Sequence, residues 1–184
     1  MNFDSNVDMA VGSGLISRPQ TSFNQDRSTL YQVDCFDSDG NLKWQDEFHN
    51  LVVTAGLNDA LDKQFKASAY TAAWYVGLTG SSPTFAAADT MASHSGWTES
   101  TAYSESVRQT LTLGSVASGS VDNSASKATY SINATATIGG AFVTTSNTKS
   151  GTTGTLYGGG AFTGGNRSVV SGDTLQVTIT LTAS

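Results

Sequence analysis

The stretch "GTTGTLYGGGAFTGGN" (151–166) is the first place to look for chemistry, because the backbone N–H groups of glycine loops bind phosphate. Seven of its sixteen residues are glycine. A P-loop needs a lysine directly after its last glycine, and the nearest lysine, Lys149, comes before the stretch. A dinucleotide loop needs a third glycine where Thr163 stands and then a helix, whereas the following residues alternate as in a strand. The stretch is therefore predicted to be a bent or bulged β connection that binds no phosphate.

Metal sites are not expected either. The segment "DSDGN" (37–41) resembles half of a calcium loop, but Gly40 comes two residues early and strands rather than helices flank it. The pattern favours a hairpin turn. Two histidines, His49 and His94, and the single Cys35 are too few for a zinc set. We predict neither a metal nor any other cofactor.

The residue types that serve in hydrolases do not form a recognisable set here. No serine lies in a G-x-S-x-G elbow, and Glu47, Glu99 and Glu105 do not specify a glycosidase pair. Cys35 lies in a strand pattern and is predicted to be a half-buried thiol rather than a nucleophile. An enzyme is therefore not predicted, and a hydrolase ranks behind the two structural functions described below.

The composition suits a protein that binds other proteins. Only 13% of the residues are charged, about half of the usual share, and the net charge of −6 disfavours contact with nucleic acid. No apolar run approaches the roughly 18 residues that span a bilayer, so no membrane partner is expected. The first residues lack the apolar core of a signal peptide, and one cysteine fits a reducing cytosol.

Strand patterns dominate the chain after residue 29. The runs "LYQVDCF" (30–36) and "LKWQDEF" (42–48) alternate on either side of the turn, and "DTLQVTITLT" (173–182) alternates near the end. Between them, Leu57, Ala60, Leu61 and Phe65 recur at helical spacing and predict an amphipathic helix over 54–66.

These elements predict a mainly β fold, a β-sandwich or jelly-roll-like domain over 30–184 with that single short helix. Residues 1–29 contain glycines, a proline and no period, and are predicted to form an extended N-terminal arm that lies along a neighbour in an assembly.

Trp97 stands in the long polar segment 81–105 and is predicted to be an exposed aromatic. Such a ring anchors a protein interface more often than it stacks on a sugar, although the sugar stays an alternative. Predicted contact residues come from the arm, this segment and the glycine stretch: Phe3, Leu15, Ile16, Trp97, Gly158, Gly159, Gly160 and Phe162.

Three stretches carry a family resemblance: "EFHNLVVTAGLNDALDKQF", "WYVGLTGSSPTFAAADTMASHSGWTESTAYSES" and a hairpin pair that ends in "GDTLQVTITLT". Together they resemble small structural proteins of tailed bacteriophages that decorate or cement capsids, over about 31–182. The resemblance implies a virion protein on the capsid surface, made in the bacterial cytoplasm, that binds the major capsid protein and neighbouring copies of itself as a dimer or trimer. The alternative is a tail, fibre or head-appendage component that binds a host receptor or glycan through 81–105.

Overall fold

The computed structural model describes residues 27–69 and 73–183, and within them the fold is mainly β with one α-helix. The predicted contact residues Phe3, Leu15 and Ile16 lie outside the described residues. Residues 27–29 belong to the first strand, three residues ahead of the predicted start of the domain. In chain order the elements are β1 (Arg27–Phe36), β2 (Leu42–His49), β3 (Leu51–Val52), α1 (Thr54–Phe65), β4 (Tyr75–Thr79), β5 (Glu99–Ser100), β6 (Gln109–Thr110), β7 (Ser120–Asp122), a 3₁₀ turn (Ser124–Ser126), β8 (Ala128–Ser131), β9 (Ala136–Ile138), β10 (Gly140–Thr144), β11 (Leu156–Ala161), β12 (Arg167–Val169) and β13 (Thr174–Ala183).

The first sheet has β1 and β13 at its centre. These strands pair antiparallel along their whole length, from Arg27 opposite Ala183 to Phe36 opposite Thr174. β2 pairs with the other edge of β1, while β7 and β8 both pair with β13. The predicted hairpin between β1 and β2 is confirmed: two backbone N–H groups of the turn donate to the Asp37 carboxylate, and Gly40 adopts a positive φ of 82°.

The second sheet runs in the order β3-β11-β10-β4, and β5 and β6 both pair with β4. β9 and β12 form a separate two-stranded sheet. No helix in the described ranges is long and apolar enough to cross a membrane.

The main core lies between the two large sheets. The predicted alternation of β1 is confirmed, because Tyr31, Val33 and Cys35 share one face of the strand and are fully buried in this core. The alternating face of β13 is buried in the same layer, and Ala141 and Val143 of β10 meet it from the second sheet.

A smaller core covers the outer face of the second sheet. Phe142 of β10 points away from the main core and packs with Val53, Met91, Trp97 and Leu156. The second sheet is therefore buried on both faces, and α1 with the segment around 85–97 forms a third layer. The strand content and the layered sheets confirm the predicted mainly β, sandwich-like fold.

Candidate interaction surface

Helix α1 lies very close to the backbone of β11. Gly56 faces the sheet, and a Cβ atom at this position would collide with the carbonyl oxygen of Tyr157. The N–H of Val53, just before the helix, donates to the same carbonyl at 3.1 Å. This close approach fixes which side of α1 faces the domain.

The apolar face of α1 consequently meets solvent. Leu57, Leu61 and Phe65 follow one another at four-residue spacing and are 44%, 53% and 72% exposed. The predicted amphipathic helix is confirmed, and the Gly56 contact turns its apolar face outward. We call these three residues the apolar stripe.

The charges of α1 are paired within the helix. Lys63 binds Asp59, and Lys66 binds Asp62 at 3.0 Å, each one turn apart. The Lys66 ammonium, helped by the Ser68 hydroxyl, holds the pKa of Asp62 below its usual value. No net charge therefore accompanies the apolar stripe from these four residues, and an apolar face of this kind is typical of a binding surface.

A second apolar feature opens at one end of the sandwich. It is a cleft of about 380 Å³ between the two large sheets, at the first residue of β1 and the last residue of β13. We call it the end cleft. Its walls are mostly apolar side chains: Trp74, Leu111, Leu113, Val116, Tyr157 and Leu181.

Arg27 lies between these two features. It lines the end cleft, and its guanidinium donates to Gln64 of α1 at 2.8 Å. Arg27 therefore connects the rim of the end cleft to α1, the helix that carries the apolar stripe.

Trp97 does not present its ring to solvent, so the prediction of an exposed anchor is wrong. It is 4% exposed, and its indole N–H donates to Asp89 at 3.1 Å. His94 stacks on one side at 3.8 Å between ring centroids, and Phe85 stacks at 5.0 Å. The ring lies against Phe142 of the second sheet with their centroids 4.8 Å apart, so the segment 81–105 covers the outer face of that sheet.

The glycine stretch contains a buried strand rather than a loop. Gly158, Gly159 and Gly160 lie in the middle of β11, between β3 and β10, and the pairing of β11 with β10 shifts register at Tyr157. A Cβ on Gly160 would lie 2.8 Å from the carbonyl oxygen of His49. The close backbone approach that was predicted toward another chain is thus made inside the domain.

Phe162 is also internal. Its ring packs against Trp44 and Phe48 at centroid distances of 5.7 and 5.6 Å. The residues predicted to form an interface that fall within the described ranges are therefore core residues in this structure.

The titratable groups inside the domain serve its structure. Cys35 is fully buried rather than half-buried, and burial, with the neighbouring Asp173 carboxylate, raises the pKa of its thiol to about 11. Arg108 is buried and forms a bidentate ion pair with Glu99, with donor–acceptor distances of 2.9 and 2.7 Å. Among the described residues, no group of three or more potential ligands stands together as a metal site.

Comparison with known proteins gives no family assignment. No protein-family model matches the chain, and no curated protein is similar to it in sequence. The likeness to structural proteins of tailed phages therefore remains a prediction from the motifs.

Both features of the interaction surface escaped the sequence analysis for identifiable reasons. The apolar stripe was visible as a pattern, but the pattern cannot tell which partner covers it. The end cleft is assembled from β1, β7, β10, β11 and β13 and the segments beside β4 and β6, so no local signal marks it.

Proposed function

We propose that this chain is a structural virion protein of a tailed bacteriophage, most directly a capsid decoration or cement protein. It attaches to the major capsid protein and to neighbouring copies of itself by protein–protein contacts. The observation that carries the proposal is the apolar stripe of α1, which is held outward by the Gly56 contact. An amphipathic helix of this kind is a common element with which one protein fills a groove of another.

The size of the stripe fits a protein that binds in many copies. Three partly exposed side chains supply much less than the roughly 1,200–2,000 Å² of a stable interface. Attachment of one copy through the stripe alone is therefore weak. Copies that also touch their neighbours on a regular shell gain avidity without new kinds of contact.

The charge distribution favours apolar attachment. Residues 109–184 contain only five charged side chains, and the four charges of α1 named above pair among themselves. Binding should therefore depend little on ion pairs.

The alternative function, receptor or glycan binding through 81–105, has less support. It relied on Trp97 as an exposed stacking ring, and that ring is enclosed by Phe85, His94 and Phe142. Decoration of a shell is therefore the function that we favour.

The test is to titrate purified protein onto bare capsid shells, from about 50 mM to about 1 M salt, and to measure occupancy. Leu61→Ser should weaken attachment about tenfold, roughly 1.4 kcal/mol, with little change in stability. Leu42→Ser is the matched control, because Leu42 of β2 is 56% exposed against 53% for Leu61. Occupancy of the parent protein should hold or rise with salt.

Two results would contradict the proposal. One is occupancy that collapses as salt rises, since charge would then govern the interface. The other is equal binding by the Leu61 variant, the Leu42 variant and the parent. An image of particles in which the protein occupies a single vertex would favour the tail or appendage function instead.

A further inference from the structure

The end cleft is the place where the core of this domain is left open. Elsewhere between the sheets, residues such as Val33 and Val177 are fully buried. At the cleft, Leu113 and Val116 are 37% and 75% exposed although they border the same core. Apolar side chains at an open cleft forgo both burial and packing contacts, so a side chain that fills the cleft stabilises the domain.

The chain itself brings a candidate occupant to the rim. Arg27 lines the cleft, and 26 residues precede it. In the ten residues before Arg27, "SRPQTSFNQD", the only large apolar side chain is Phe23. Four residues span at most about 13 Å, so Phe23 is tethered within reach of the cleft.

The strand register favours the same residue. In β1, Thr29, Tyr31 and Val33 face the space between the sheets and are buried, so odd-numbered positions are the inward ones. Phe23 has this parity. In an extended segment that continued this alternation, an odd-numbered residue such as Phe23 would take an inward position.

We propose that the end cleft is the docking site for the segment directly before Arg27 of the same chain, with the ring of Phe23 inside it. The tether gives this segment a high effective concentration at the cleft, which a separate copy has only in concentrated solution or on a shell. The occupied cleft fixes the base of the arm. The residues before Phe23 are then tethered at a defined point of the domain, and each of them adds at most about 3.5 Å of reach toward a partner.

The first measurement is thermal unfolding of full-length protein free in solution, so it does not depend on the proposed attachment to a shell. Phe23→Ala should lower Tm by about 5 °C, because it empties an apolar cleft, and Phe23→Leu should restore most of this loss. Phe3→Ala is the matched control in the same N-terminal region and should leave Tm unchanged. The shift should be the same at low and high protein concentration.

The second measurement tests whether the Phe23 ring lies in the end cleft. Val116→Ala should lower Tm by about 2 °C in the parent and by much less in the Phe23→Ala background, since the two side chains touch only when Phe23 is docked. Val170→Ala is the control, because Val170 is exposed and lies near Asp173, at the opposite end of the sandwich. In NMR spectra of the full-length protein, the Phe23 ring should show nuclear Overhauser contacts to the Val116 methyl groups.

Several outcomes would overturn this proposal. A Tm that falls with dilution, together with a dimer that Phe23→Ala dissociates, would assign the cleft to a second copy. A fall in Tm caused by Tyr70→Ala and not by Phe23→Ala would assign the end cleft to the segment directly before Trp74. Absence of both the coupling and the Phe23–Val116 contact would mean that Phe23 does not dock.

Discussion

Replacing Arg108 by methionine should be among the most damaging single changes in the domain. The guanidinium is fully buried and donates two hydrogen bonds to Glu99, one to the Ser146 carbonyl at 2.8 Å and one to the Gly151 carbonyl at 2.9 Å. Glu99 also accepts the N–H of Ser150 at 2.8 Å. Arg108 therefore holds the turn around 146–151 against β5.

The cost follows from the burial of Glu99, whose side chain is 7% exposed. Arg108→Met leaves that carboxylate buried without a counter-charge. Breaking a buried pair on one side costs about 3–5 kcal/mol. In a domain of this size such a loss lowers Tm by about 10 °C.

The assay is urea unfolding at neutral pH, with Lys66→Met as the matched control. Lys66 forms an exposed ion pair with Asp62, so its replacement should cost at most about 0.5 kcal/mol. The double variant Glu99→Met/Arg108→Met removes both charges and should be at least about 1 kcal/mol more stable than Arg108→Met alone. Two results would show that the uncompensated charge does not cause the loss of stability. In one, the double variant loses as much free energy of unfolding as the two single variants together. In the other, Arg108→Met loses no more than the Lys66→Met control.

Two further predictions concern Cys35 and Gly56. The Cys35 thiol, with its pKa raised to about 11, should react with an aromatic disulfide reagent at pH 8 only as fast as the protein unfolds, and rapid reaction in the folded state would contradict its burial. The neutral thiol is the form that the fold favours, so this contribution to stability is present below pH 9 and is lost as pH rises toward 11. Gly56→Ala should cost about 2 kcal/mol in urea unfolding, because its Cβ meets the carbonyl oxygen of Tyr157, although alanine ordinarily strengthens a helix. Gly114→Ala is the control, since its Cβ comes no nearer than 3.5 Å to another group, and equal effects at the two positions would refute the contact argument.

The sequence predicted those elements that depend on local patterns. The hairpin around Gly40, the alternation of β1 and the position of α1 follow from alternation, turn residues or helical spacing, and all agree with the structure. Each of these signals lies within a few consecutive residues.

The wrong predictions concern contacts between distant segments. Trp97 was placed outside because its neighbours in sequence are polar, yet the residues that enclose it include Phe142 from the second sheet. The helical spacing identified the apolar face of α1 but not what it contacts, and Gly56 allows the other side of α1 to approach β11 more closely. Sequence patterns describe the face of an element but not the neighbour that covers it.

The central pairing of β1 with β13 has a consequence for how the protein is made. The first described strand finds its longest partner only when the ribosome has synthesised the last one. Until then, a nascent chain can form the β1–β2 hairpin but leaves the other edge of β1, and the buried face that holds Tyr31 and Val33, without their native cover. Such a topology has many contacts between residues far apart in sequence and is expected to fold slowly, so this edge of β1 stays open to pairing with other chains until β13 has been synthesised.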